Sequence, residues 1–140
     1  LSQIFMNLVG NALKFTKNGK VEVIAKKLKK EEDQVKLYFE VRDNGIGISE
    51  DQQKNIFDSF EQGSIQINRE YGGTGLGLTI VKSLVGLFGS TINLESELGH
   101  GSSFYFEILF RTNPLISKTS QQYLQENYLP CFFEIDFLKI

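Results

Sequence analysis

Between Val35 and Val41 an apolar residue falls on every second position, and the next residue of that parity is an aspartate, Asp43. Successive side chains of a strand point to opposite faces, so Val35, Leu37, Phe39 and Val41 share one apolar face. Such a face has to be covered, which makes this strand part of a sheet backed by other elements. Asp43 then emerges toward the covered side just where the strand ends. Burying a carboxylate there without partners would be costly. Two roles suit it: an Asx-turn or cap before Gly45, or a buried acceptor for a ligand donor such as the exocyclic amine of a purine.

The cover is legible on both sides of this strand. Leu1, Ile4, Phe5, Leu8, Ala12 and Phe15 recur at helical spacing and predict an amphipathic helix over residues 1 to about 16. Leu76, Ile80, Val81, Leu84, Val85 and Phe88 predict a second buried stripe, stopped at Gly89. Strands are expected over 21–25, 35–41, 91–95 and 103–110, with Asn18-Gly19 marking the first turn. The charged stretch from Lys26 to Asp33 reads as a solvated turn, because its opposite charges cancel within a Debye length of ~8 Å. Ser49 is a plausible N-cap for a short helix through Phe57, with Glu50 and Asp51 in its first turn. Residues 61–74 carry little apolar pattern and are expected to form a mobile loop. The expected fold is α+β, a two-layer α/β sandwich with a mixed, largely antiparallel sheet and its helices on one face. That domain covers residues 1–110. Residues 111–140 read as a linker or the start of a further module, with a polar helix over 115–128 and an apolar run over 131–140.

Composition narrows the function. The net charge of −2 over 140 residues, with both signs interspersed, offers nothing to nucleic acid or anionic membrane. One cysteine, Cys131, and one histidine, His100, exclude an internal disulfide and a cysteine or histidine metal cluster. No apolar stretch reaches the ~18 residues that span a bilayer. The expected compartment is reducing and aqueous. Because the chain opens mid-pattern on Leu-Ser-Gln, it is expected to be a piece of something longer.

Several polar residues stand where chemistry is plausible. Asn7, Asn11 and Lys14 lie at i, i+4 and i+7 on the first helix. They are either a solvent-exposed face or a ligand face, since amide oxygens can hold Mg²⁺ beside a triphosphate and a lysine can touch phosphate. Gly45 and Gly47 form either a simple turn or a place where backbone approaches a ligand. Gly73-Thr74-Gly75-Leu76-Gly77 opens a helix, where backbone N–H groups favour phosphate. It is not a Walker loop, for no Gly-Lys-Ser/Thr follows, and no hydrophobic strand leads into it as a dinucleotide fingerprint requires. Phe57-Asp58-Ser59-Phe60 could be core aromatics at a helix end.

Taken in order, these stretches resemble the catalytic domain of bacterial-type sensor histidine kinases, in the ATPase superfamily shared with the Hsp90 chaperones, DNA gyrase and the MutL repair proteins. Residues 7–16, Asn-Leu-Val-Gly-Asn-Ala-Leu-Lys-Phe-Thr, match the N box; 43–47, Asp-Asn-Gly-Ile-Gly, the first glycine box; 57–60 the F box; and 73–78, Gly-Thr-Gly-Leu-Gly-Leu, the second glycine box. A closing Gly99-His100-Gly101-Ser102-Ser103-Phe104 also fits. The resemblance implies a Bergerat-type fold that binds ATP with Mg²⁺. It implies that Asn11, with Asn7, holds the metal and phosphates and that Lys14 contacts a phosphate. Asp43 would accept the adenine amine, Gly45 and Gly47 would shape the pocket, and Ser102 would support the adenine end. Residues 61–74 would be the ATP lid, anchored by Phe57 and Phe60, carrying Arg69 toward the phosphates and closed by Gly73, Thr74, Gly75, Leu76 and Gly77.

The resemblance further implies a protein-histidine kinase of two-component signal transduction. Its partners would be the dimerisation domain that carries the phosphoacceptor histidine and a response regulator receiver domain, since the wording around Phe60 and Tyr71 resembles hybrid kinases. Hydrolysing relatives place a glutamate general base where Asn7 stands, and an amide cannot take a proton from water. Transfer to histidine is therefore favoured over hydrolysis. His100, between glycines, is expected to be a turn residue, so the fragment should bind ATP without phosphorylating itself. A non-catalytic nucleotide-binding regulatory module and a chaperone-like or MutL-like ATPase clamp are the alternatives. The expected location is cytoplasmic, with anchoring of the parent kinase to the inner membrane left open, and residues 129–140, if they form an exposed strand, are expected to self-associate.

Overall fold

The computed structural model describes residues 1–31, 33–57 and 76–111, and the backbone of 132–136. Its elements run α1 (Ser2–Phe15), β1 (Lys20–Lys30), β2 (Gln34–Asp43), α2 (Glu50–Gln53), α3 (Gly77–Leu87), β3 (Asn93–Glu97), β4 (Gly101–Arg111) and β5 (Phe132–Asp136). The five strands make one sheet in the order β3-β4-β2-β1-β5. All four described pairings are antiparallel.

The alternation read in β2 sets the core. Phe39 and Val41 are buried and stand opposite Phe106 and Phe104 of β4. Ile4, Leu8 and Ala12 of α1 and Val81 and Val85 of α3 join the same cluster, so both helices cover one face of the sheet. Phe5 meets Phe39 edge-on at 5.6 Å between centroids, an arrangement that suits the ring quadrupoles. Phe106 is fully buried, and truncating it to alanine would cost roughly 3–5 kcal/mol. The two-layer α+β sandwich expected from the sequence is the fold.

Four local expectations need correction. Lys26–Lys30 are strand rather than turn: β1 continues past the core to Lys30, with an irregularity between Lys27 and Lys29, and β2 begins at Gln34. Charge set those lysines in solvent, yet the backbone partners of β2 still reach them. The helix expected through Phe57 stops at Gln53. Gln52 folds back on Ser49 as a capping box, and the Gln53 amide donates to the carbonyls of Ile48 and Ser96, which pins this one turn against β3. On α3 the stripe is narrower than read, because Ile80 and Phe88 are 40% and 42% exposed. Phe88 is already the C-cap and lies against Phe110, while Gly89 at φ +70 ends the helix as expected. Leu1, finally, is exposed rather than part of the α1 stripe. The lid over 61–74 and the helix over 115–128 lie outside the described residues.

The face of the sheet turned away from the helices holds a feature the sequence reading missed. Glu40 is only 3% exposed there. It accepts hydrogen bonds from Tyr38 Oη at 3.0 Å, Arg42 Nε at 2.8 Å and Ser103 Oγ at 2.7 Å. Burial pushes its carboxyl upward, but the donors Ser103, Arg42 and Tyr38 and the charge of Arg42 prevail, holding it below the ordinary glutamate value. Burial first, then its bond to Glu40, pushes the Tyr38 phenol up to about 12.

Candidate functional site

The polar residues of α1 point at α3. Asn7 and Asn11 are half-buried, not solvent-facing, and a Cβ added to Gly77 would lie 3.7 Å from Asn7 Oδ1 and 4.0 Å from Asn11 Nδ2. The first residue of α3 therefore abuts both amides. Helix N-termini present unsatisfied N–H groups and a positive end. Asn7 Nδ2 is buried and finds no hydrogen-bond partner among the described residues, a cost that a ligand oxygen would relieve. Lys14, one turn further along α1, has its ammonium 4.9 Å from the centre of the Phe15 ring.

At the C-terminal end of α1, beyond Lys14, the strand termini meet. Asp43 is half-buried and stands opposite Ser102 of β4 and Val21 of β1. The Gly45 N–H donates to Asp43 Oδ1 at 2.9 Å, so the Asx-turn reading also holds. Burial raises the carboxyl above the ordinary aspartate value, against the lowering effect of the Gly45 and Ser102 N–H groups and the Thr16 side chain. The Thr16 hydroxyl is buried beside it and makes no hydrogen bond of good geometry. Asp43 thus keeps acceptor capacity in a half-buried site.

Ser102 is buried on the core face, whose parity it shares with Phe104 and Phe106. Its hydroxyl lies 2.9 Å from Ser96 Oγ. Ser96 has a single proton, and that proton reaches the Gly101 carbonyl at 2.9 Å. Ser102 must then be the donor to Ser96, which leaves Ser102 Oγ as an acceptor toward the pocket. Ser96 also receives the Ile48 N–H, and nothing in the sequence reading had singled it out.

At the first two glycines protein backbone packs against protein backbone. A Cβ on Gly45 would meet the Phe15 carbonyl at 2.4 Å, and one on Gly47, at φ +67, would meet the Glu97 carbonyl at 1.9 Å. Each lets protein backbone pass close by, locking the 43–47 loop to the end of α1 and to β3. Asn44 completes the lock: its Oδ1 accepts the Lys20 N–H at 2.6 Å while its own N–H donates to the Lys20 carbonyl. Phe57 packs edge-on to Phe104 at 6.2 Å. His100 lies in the exposed β3–β4 turn, as expected. Phe60, Arg69, Gly73, Thr74 and Gly75 lie outside the described residues. No trio of His, Cys, Asp or Glu that could hold a metal occurs among the described residues, nor is any described helix long and apolar enough to cross a membrane.

A half-buried aspartate at a strand end, two helix amides and the N-terminus of a facing helix fit one group of proteins. The chain belongs to the histidine kinase-, DNA gyrase B- and HSP90-like ATPase family, whose model matches residues 1–112. It is 43% identical over 116 residues to the signal transduction histidine-protein kinase BarA of Escherichia coli K12, covering 83% of this chain and 13% of that protein. The sensor histidine kinase AruS of Pseudomonas aeruginosa is 47% identical over 108 residues, covering 77% of this chain and 11% of that one. Among solved structures, full-length ShkA in complex with AMPPNP superposes with a TM-score of 0.65 at 36% identity, over 79% of this chain and 21% of that one. The chain thus spans a small part of the length of these relatives.

Proposed function

We propose that this chain is the catalytic domain of a sensor histidine kinase, binding Mg-ATP and passing the γ-phosphoryl group to a histidine on a separate dimerisation domain. The observation that carries this reading is the convergence of Asn7, Asn11 and Gly77, with the orphaned Asn7 amide nitrogen among them. Amide oxygens are neutral, hard donors, so the set suits Mg²⁺ held jointly with phosphate oxygens. Asn11 and Asn7 would hold the ion, which neutralises charge that develops on the phosphates. The α3 N-terminus and Lys14 would add donors to the same oxygens. Asp43 and the acceptor side of Ser102 Oγ would receive the adenine amine, which fixes the base at one end while the phosphates are held at the other.

Catalysis then rests on positioning. The bond from γ-phosphorus to the bridging oxygen breaks as a bond to an imidazole nitrogen forms, and ADP leaves. Asn7 cannot deprotonate water, so hydrolysis gains nothing from the site. Arg69 and residues 73–75 are proposed to complete the phosphate side, and a receiver domain is the proposed final acceptor. Calorimetric titration with ADP and ATP, with and without Mg²⁺, tests the pocket. Transfer from ATP to an added dimerisation domain tests the chemistry. Binding without transfer would favour the regulatory-module reading, and steady phosphate release without a protein acceptor would favour the ATPase clamp.

A further inference from the structure

Ser96 lies outside every stretch that carries the family resemblance, yet it controls a proton at the base end of the site. The β3–β4 register sets it directly opposite Ser102. Two further contacts hold it there. Its hydroxyl oxygen receives the Ile48 N–H at 2.8 Å, and the Gln53 amide donates to its carbonyl at 3.0 Å and to that of Ile48 at 2.7 Å. The hydroxyl itself is saturated. It lies 2.9 Å from the Gly101 carbonyl, which can only accept, so the Ser96 proton goes there. Turned toward Ser102 instead, that proton would leave two lone-pair oxygens facing each other. The lone pairs of Ser96 Oγ take the Ile48 N–H and, across 2.9 Å, the Ser102 proton.

A serine has one hydroxyl proton to give, and Ser102 gives it to Ser96, so its oxygen offers only lone pairs on the core side. Ser102 stands opposite Asp43 on β2, whose carboxylate is likewise acceptor-only when ionised. Two neighbouring acceptors and no donor match the two protons of an exocyclic amine. They do not match a carbonyl, whose lone pairs would face theirs. Resting on the nucleotide reading of the site, we infer that Ser96 is a specificity-determining positioning residue: by taking the Ser102 proton it makes the base end acceptor-only, and so selects a 6-amino over a 6-oxo purine. It touches the base only through Ser102.

The test is calorimetric titration of the full chain, in Mg²⁺, with ADP and with IDP, whose base carries a carbonyl in place of the amine. Wild type should prefer ADP by at least about tenfold, the scale of one unpaired buried polar group. Ser96→Ala frees the Ser102 proton to turn toward the base, so the preference should fall at least about fivefold. Ser96→Thr, which keeps the hydroxyl, should retain it. A merely structural role would weaken both nucleotides alike, and an unchanged ratio in Ser96→Ala would overturn the selection. In a Ser102→Ala background, Ser96→Ala should move the ratio by less than about twofold. An equal fall there would show that Ser96 does not act through Ser102. Wild type that binds ADP and IDP equally would refute the selection and leave the nucleotide site standing, whereas binding of neither would overturn the nucleotide reading and the selection with it. If Ser96→Ala does not fold, Ser96→Cys decides, because a thiol is a weaker acceptor: a reduced preference supports the role, and an unchanged one refutes it.

Discussion

Strand β2 carries a buried and a half-buried carboxylate three residues apart, and they have opposite characters. Glu40 faces away from the helices, is held by an arginine, a tyrosine and a serine, and is held below its usual pKa. Asp43 faces the helices, is held mainly by backbone N–H groups, and is raised by burial. The first is saturated by the protein and needs nothing more. The second is desolvated and still has room to accept. A buried acid with its own cation is part of the structure, whereas a buried acid left without one is a place where a ligand can supply the missing donor.

The sharpest way to break that contrast is to remove Glu40. Glu40→Ala would leave Arg42 and two hydroxyls facing a void, and should cost about 2–3 kcal/mol in urea unfolding, since a bond to a charged group is lost while Arg42 is half exposed and rehydrates. ADP affinity should stay within about twofold if Glu40 is purely structural. A large affinity loss with little loss of stability would invert the assignment.

Asp43→Asn should do the reverse. The amide still accepts the Gly45 N–H but no longer offers a charged acceptor, so ADP affinity measured by calorimetry should fall about tenfold to a hundredfold. The unliganded variant should melt at the same temperature as wild type or slightly above it at pH 7, because an ionised buried group has been removed. Retained affinity would place the adenine elsewhere.

Acidity separates the two groups by sign. Glu40 binds its proton less readily when folded, so its stabilisation is complete above its unfolded pKa of about 4.3 and is lost as pH falls through the lower native value. Asp43 binds its proton more readily when folded, so its contribution favours the native state below its raised native value and fades as pH rises through it. Glu40→Gln should therefore flatten the acid limb of the stability profile, and Asp43→Asn should flatten the rise that wild type shows as pH falls through the Asp43 native pKa toward its unfolded value. Identical profiles in denaturant melts across pH 3–7 would remove the distinction.

Asp43 was legible in the sequence because a single strand's parity exposed it: an acid continuing an apolar alternation is either a turn former or a ligand acceptor, and here it is placed to be both. Glu40 was not, because it falls on the face read as polar, where a glutamate is expected. Its burial comes from β4, through Ser103 opposite Arg42 and Tyr105 opposite Glu40, and that register depends on strands sixty residues apart. Asn7 and Asn11 were legible as a helix face, but not that α3 would start against them. Ser96 gave no signal at all, since its role is to take the proton of Ser102. The length of β1 was misread because the lysines report solvent, whereas strand continuity is set by the partner.

The smallest expected effects come from the adjacent serines of β4, and they test the contrast most finely. Ser103 and Ser102 are chemically identical and point to opposite faces. Ser103→Ala removes one donor from Glu40 and should cost about 1 kcal/mol of stability, leaving ADP binding unchanged. Ser102→Ala removes the donor to Ser96 and the acceptor toward the pocket. It should weaken ADP binding by a few fold, the scale of one neutral hydrogen bond. Ser96 still receives the Ile48 N–H, so the stability loss should be smaller than for Ser103→Ala. If both serines changed stability equally and neither changed affinity, Ser102 would belong with Glu40 as scaffold, and Asp43 would have to recognise the base alone.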